Sequence, residues 1–141
     1  MLTPPYKILI VDDEPEICEL IKDILESEFG DLLSIQTCTN LSKAFYILDK
    51  EDIRIILSDF YLKGETGDTL LQKAQAMHNG IRFIMLTGDI NFQNVFSSFL
   101  DGAVSIVTKP FKPEELIDAI TICLRRLEYW NRIFKEVEHH G

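Results

Sequence analysis

Five side chains in this sequence, Asp12, Asp13, Asp59, Thr87 and Lys109, have complementary chemistry, and each closes or follows a short apolar run. Three carboxylates brought to one place would repel one another and resist ionisation unless a cation came between them. All-oxygen ligands completed by water suit Mg2+, which takes only a few protein carboxylates. Lys109 adds an ammonium and Thr87 a hydroxyl donor. Mg2+, ammonium and hydroxyl around one carboxylate make a place for a phosphoryl group, whose oxygens need that neutralisation. Asp59 is then the nucleophile, and the product is an aspartyl phosphate. Singly, each residue has a plainer reading: Asp12 and Asp13 as helix caps, Asp59 as a loop cap, Thr87 as a polar strand end, Lys109 as a solvated charge. Jointly they read as a site.

The chemistry requires elements that bring those residues together. Residues 53–59 form a near-continuous apolar run ending in a carboxylate, which fits a strand buried on both faces of a parallel sheet. Tyr6–Val11 reads the same way, opened by a double proline and closed by Asp12-Asp13-Glu14-Pro15. Further strands are expected at 33–37, 81–86 and 104–107. Helices are expected from Pro15 to Gly30, over Leu41–Lys50, over 67–77 with Asn79-Gly80 as the stop, and over Phe92–Leu100 between Asn91 and Gly102. A long last helix starts near Pro113. Alternating strands and helices predict an α/β fold of the flavodoxin-like, doubly wound kind, with a five-stranded parallel sheet of order 2-1-3-4-5. In that order the strand ends carrying the five residues border one crevice.

At 141 residues the chain is large enough for one domain with a proper core. A net charge of −9 argues against a nucleic-acid surface within these residues, because phosphate binding needs clustered Lys and Arg. Cys18, Cys38 and Cys123 have no CxxC spacing and read as small buried hydrophobes in a reducing compartment. The N-terminus lacks a signal-peptide build and no apolar run reaches membrane-spanning length, so a soluble cytoplasmic protein without membrane contact is expected.

Ile10-Val11-Asp12-Asp13-Glu14-Pro15, Ser58-Asp59, Leu86-Thr87-Gly88 and Thr108-Lys109-Pro110-Phe111 resemble the motifs of the receiver domain of two-component response regulators. The resemblance runs from about Tyr6 to Arg125. It implies a signalling domain, not a metabolic enzyme, in which a sensor histidine kinase or phosphotransfer protein donates a phosphoryl group to Asp59. It further implies that Asp13 and Asp59 ligate Mg2+ directly, that Asp12 acts largely through water, and that the backbone carbonyl of Tyr61 adds a ligand. Lys109 is implied to pair with phosphoryl oxygens, and the Lys109–Pro110 peptide to be cis.

Three features depart from the family's pattern. Ile106 stands where an aromatic ring is usual; its β-branched side chain is stiff and has no ring to swing. The phenylalanines Phe92, Phe96 and Phe99 could repack in its place, but are read here as core. Lys63 stands where the loop after Asp59 usually has proline, which predicts a more mobile loop. Finally, residues 1–125 account for a receiver domain, and 126–141 continue the last helix. Leu116, Ile120, Cys123, Leu127, Trp130, Phe134 and Val137 follow coiled-coil spacing, which favours a parallel homodimer or a linker over folding back. The rivals are a Mg2+-dependent phosphohydrolase and a phosphorylation-independent dimerisation module. The phosphohydrolase usually needs a second acid at position 61, where Tyr61 stands. Tyr61 and Asp89 are expected to border the approach of hydrolytic water.

Overall fold

Alternation along the first strand sets the architecture. In β1 (Tyr6–Val11), Ile8 and Ile10 point to one core while Leu9 and Val11 point to the other, all with no exposed surface. A strand that is apolar on both faces must be covered on both. The structure, a computed structural model, describes residues 2–88 and 91–140, without the side chains of Phe92, Asn94 and His140. On one face α1 (Pro15–Phe29) and α5 (Pro113–His140) supply Cys18, Ile21, Leu25, Leu116, Ile120 and Cys123. On the other, α2 (Leu41–Lys50) and α3 (Asp68–Ala76) supply Leu41, Ala44, Leu48, Leu70 and Leu71.

The remaining strands are β2 (Leu33–Cys38), β3 (Ile53–Asp59), β4 (Tyr61–Leu62), β5 (Glu65–Thr66), β6 (Arg82–Thr87) and β7 (Ser105–Thr108), with α4 (Phe92–Leu100) between the last two. The main sheet is parallel, in the order β2-β1-β3-β6-β7. This is the expected 2-1-3-4-5 once the small β4–β5 hairpin is set aside. Ile55 and Leu57 sit in the middle of that sheet; truncating one to alanine should cost about 2–5 kcal/mol.

Local chemistry sets the ends. Pro15 opens α1, and Gly30 closes it at φ 53, in the left-handed region. Asn40 caps α2 by accepting from the Lys43 N–H at 2.8 Å. α3 stops at Ala76, before the expected Asn79-Gly80, because the chain turns at His78 with φ 52.

The loop after Asp59, for which greater mobility is expected, forms a small hairpin: Tyr61 pairs with Thr66 and Leu62 with Glu65, around Gly64 at φ 73. Leu62 is buried and ties the hairpin to the α2–α3 core. The core reading of the α4 phenylalanines is also corrected. Phe96 and Phe99 are 46% and 71% exposed, whereas Ser98 is buried with its hydroxyl unpartnered among the described residues. Phe92's side chain lies outside the described residues.

Candidate functional site

A parallel sheet delivers every strand end to one edge, which is why these residues meet. β1 ends at Val11 with Asp12 and Asp13 next, β3 ends on Asp59, β6 ends on Thr87, and β7 leads directly into Lys109. Asp12 is fully buried, Asp59 and Thr87 nearly so, and Asp13 is half-buried. One oxygen from each of Asp12, Asp13 and Asp59 lies within 4.8 Å of the others. Lys109 Nζ donates to Asp12 Oδ2 and to Asp59 Oδ2, both at 2.7 Å.

The second oxygen of each bridged carboxylate is held by backbone. Asp12 Oδ1 accepts the Glu14 N–H at 2.9 Å, and Asp59 Oδ1 accepts the Tyr61 N–H at 3.1 Å. The plain reading of Asp12 and Asp13 as helix caps does not hold: the N-cap of α1 is Glu14, with no side-chain cap, and Asp12 binds only the N–H of Glu14 itself. The strand ends are also tied together: the Lys109 N–H donates to the Thr87 carbonyl and the Phe60 N–H to the Leu86 carbonyl, both at 2.8 Å. The Lys109–Pro110 peptide is cis.

Burial pushes the Asp12 carboxyl up, and the Lys109 and Glu14 hydrogen bonds and the ammonium charge only partly offset it. Burial alone would pull Lys109 down, but its hydrogen bonds to Asp12 and Asp59 more than reverse that, so it remains an ammonium at neutral pH. One ammonium faces three carboxylates, and Asp13 has no ion pair among the described residues. Hard oxygen donors with this surplus of negative charge fit a small divalent cation.

Two supporting residues carry no signal in a pattern of acids and hydroxyls. Gly67 donates to the Phe60 carbonyl at 2.6 Å, and a Cβ there would run into the Asp59 carbonyl oxygen. A glycine in a loop could have marked this close approach, but the sequence reads it only as a helix start. Cys18, read as a small hydrophobe, donates its thiol to the carbonyls of Asp12 at 3.4 Å and Cys38 at 3.7 Å. Asp89 lies outside the described residues. Ile106 is half-buried against the α2–α3 core.

The profile of the response regulator receiver domain matches residues 8–121. The regulatory protein VanR of Enterococcus faecium is 34% identical over 133 residues, 94% of this chain and 56% of VanR. The DNA-binding response regulator MtrA of Mycolicibacterium smegmatis is 31% identical over 128 residues, 91% of this chain and 54% of MtrA. The chain thus spans about half the length of these curated relatives. A CheY-like response regulator receiver domain protein from Methanospirillum hungatei superposes with a TM-score of 0.80 at 30% identity, covering 88% of this chain and 97% of that one. A receiver domain from Vibrio parahaemolyticus, at 18% identity and a TM-score of 0.83, shares the fold. With acidic cluster, bridging lysine and doubly wound sheet all in place, the chain belongs to the response regulator receiver domains of two-component signalling.

Proposed function

We propose that Asp59 accepts a phosphoryl group from a sensor histidine kinase or a phosphotransfer protein, and that the phosphorylated domain changes its partner binding. The observation that carries this reading is Lys109 bridging Asp12 and Asp59 inside a cluster of three carboxylates. An Asp59 carboxylate oxygen attacks phosphorus, a P–O bond forms, the donor's P–N bond breaks, and its electron pair returns to the imidazole nitrogen. Lys109 then leaves the Asp59 carboxylate for a phosphoryl oxygen, and the Thr87 hydroxyl donates to another. Asp13, Asp59 and the Tyr61 carbonyl would hold Mg2+, with Asp12 acting largely through water. Bound there, the ion would offset the charge that builds on the transferring oxygens. The rings of Phe60 and Tyr61 meet edge to face at 4.9 Å, and the exposed Tyr61 side chain slows hydrolysis by obstructing water.

A cavity of about 360 Å³ lined by Ile17, Leu20, Lys109, Pro110 and Phe111 opens beside the site. An apolar rim next to the reacting lysine suits the surface of a donor protein. The phosphohydrolase reading is disfavoured because position 61 holds Tyr61 in place of the second carboxylic acid such an enzyme uses there. The homodimer expected through the C-terminal helix is narrowed. Leu116, Ile120, Cys123 and Leu127 are already buried in the domain, leaving Trp130, Phe134 and Val137. A coiled coil needs about three heptads or more, so this seam alone would not hold a dimer. We therefore read 126–141 as an extension of the receiver's last helix, and 1–125 as the receiver. No described helix is long and apolar enough to cross a membrane, and we place the protein in the cytoplasm. The net charge of −9 still argues against nucleic-acid contact by these residues. Where this domain is joined to further sequence, we propose a DNA-binding output, as the name of MtrA states for that protein.

The test is amide hydrogen exchange with and without fluoroberyllate and Mg2+, a stable phosphoryl mimic. The parent should change protection at the ends of β6 and β7, and Lys109→Ala should not. A full response in Lys109→Ala would remove the lysine from the switch.

A further inference from the structure

We infer that the opposite edge of the sheet holds a second binding site, for a planar aromatic carboxylate. The C-terminal part of α5 borders a cavity of about 500 Å³ lined by Leu2, Arg54, Arg82, Leu127, Trp130 and Phe134, together with Asn79 and Gly80. That volume lies within the range typical of small-molecule sites, about 300–1,000 Å³. The Trp130 and Phe134 rings are tilted by 35° with centroids 6.2 Å apart, together forming an apolar wall on which a flat guest can lie. Both rings remain more than two-fifths exposed, so the domain does not use them to complete its core.

The charge of the lining selects an anion. The chain carries 23 acidic against 14 basic residues, yet among the described residues this cavity is lined by two arginines and no acid. Arg54 is partly engaged: it bridges Asp52 at 2.7 Å and donates to the Asn79 carbonyl at 3.0 Å, while its Nε is buried without a partner among the described residues. Arg82 makes no ion pair among the described residues. A guanidinium matches a carboxylate through two parallel N–H bonds, a geometry an ammonium lacks. The rings therefore supply an apolar wall and Arg82 the anchor.

The site is independent of the phosphoacceptor reading. Arg54 and Asp59 lie at opposite ends of β3, about 16 Å apart at strand rise. That exceeds the roughly 8 Å screening length at physiological salt.

Trp130 is the chain's single tryptophan, so its emission reports the cavity directly. The full chain is titrated with 1-naphthoate and, separately, with neutral 1-naphthalenemethanol. Saturable quenching by naphthoate is expected, with affinity at least tenfold weaker for the alcohol and for Arg82→Gln, and unchanged in Asp59→Asn. Phe134→Ala, beyond the packed core, should abolish binding while leaving the melting temperature in place. No saturable change, or equal affinity for acid and alcohol, overturns the site. So does a Trp130 signal that depends only on protein concentration, which would mean that a second copy covers the cavity.

Discussion

The two edges of one parallel sheet have opposite characters. At the strand starts stand Lys7, Arg54 and Arg82; at or just past the strand ends stand Asp12, Asp13 and Asp59. The same β3 begins beside an apolar, arginine-lined cavity and ends at a buried carboxylate cluster. Parallel strands make this segregation possible, because position within a strand decides which edge a residue joins. The difference in burial matters more than the sign of charge. Asp12 and Asp59 are buried and share one ammonium, whereas the Arg54–Asp52 pair reaches solvent through a half-exposed aspartate. The acidic edge should therefore be strongly responsive to charge, and the basic edge only weakly.

The largest expected effect breaks the acidic edge at its cation. Lys109→Ala leaves Asp12 buried with no ion pair, so the metal-free protein should lose about 3 kcal/mol or more, read from urea midpoints. The matching change at the other edge, Arg54→Gln, should cost about 1 kcal/mol or less. Equal losses would erase the contrast. Next comes Gly67→Ala. Its Cβ must displace the Asp59 carbonyl, for a cost of about 1–3 kcal/mol and slower phosphoryl uptake. A variant with parent stability and rate would show that the close approach is dispensable.

Much of this was legible in the sequence, for identifiable reasons. Buried parallel strands are unbroken apolar runs, and chemistry clusters at their ends, so Asp12, Asp13, Asp59, Thr87 and Lys109 could be assigned to one edge before any coordinates. The β4–β5 hairpin was not legible, because strands of two residues have no periodicity. The outward phenylalanines of α4 were misplaced because hydrophobicity does not tell what covers a face. The heptad seam deceived differently: a helix packed on its own sheet shows the same three-and-four spacing as a coiled coil. Leu116, Ile120, Cys123 and Leu127 spend that spacing on the domain. Gly67 and Cys18 act through backbone approach and a thiol donor, which no side-chain pattern records.

Smaller effects sharpen the contrast further. Mg2+ at about tenfold its dissociation constant should stabilise the parent by about 1.4 kcal/mol through mass action. Asp13→Asn should abolish that gain, and Arg82→Gln should keep it; a melting temperature indifferent to millimolar Mg2+ would count against a metal at the acidic edge. The thiols enter only at alkaline pH. Burial pushes Cys18, Cys38 and Cys123 up to about 11 from an ordinary 9.0, so the folded chain holds these protons more tightly than the unfolded one. Their stabilisation is complete below about pH 9 and falls as pH rises towards 11. Urea midpoints should decline over that window, and native thiols should react with a disulfide reagent at pH 8 far more slowly than unfolded ones.

Phosphoryl acceptance by Asp59 is the centre of the account, and intact mass measures it directly. The parent chain, incubated with acetyl phosphate and Mg2+, should gain the mass of one phosphoryl group, and Asp59→Asn should gain none. A parent that stays unmodified, or an Asp59→Asn variant that is modified equally, would contradict the account.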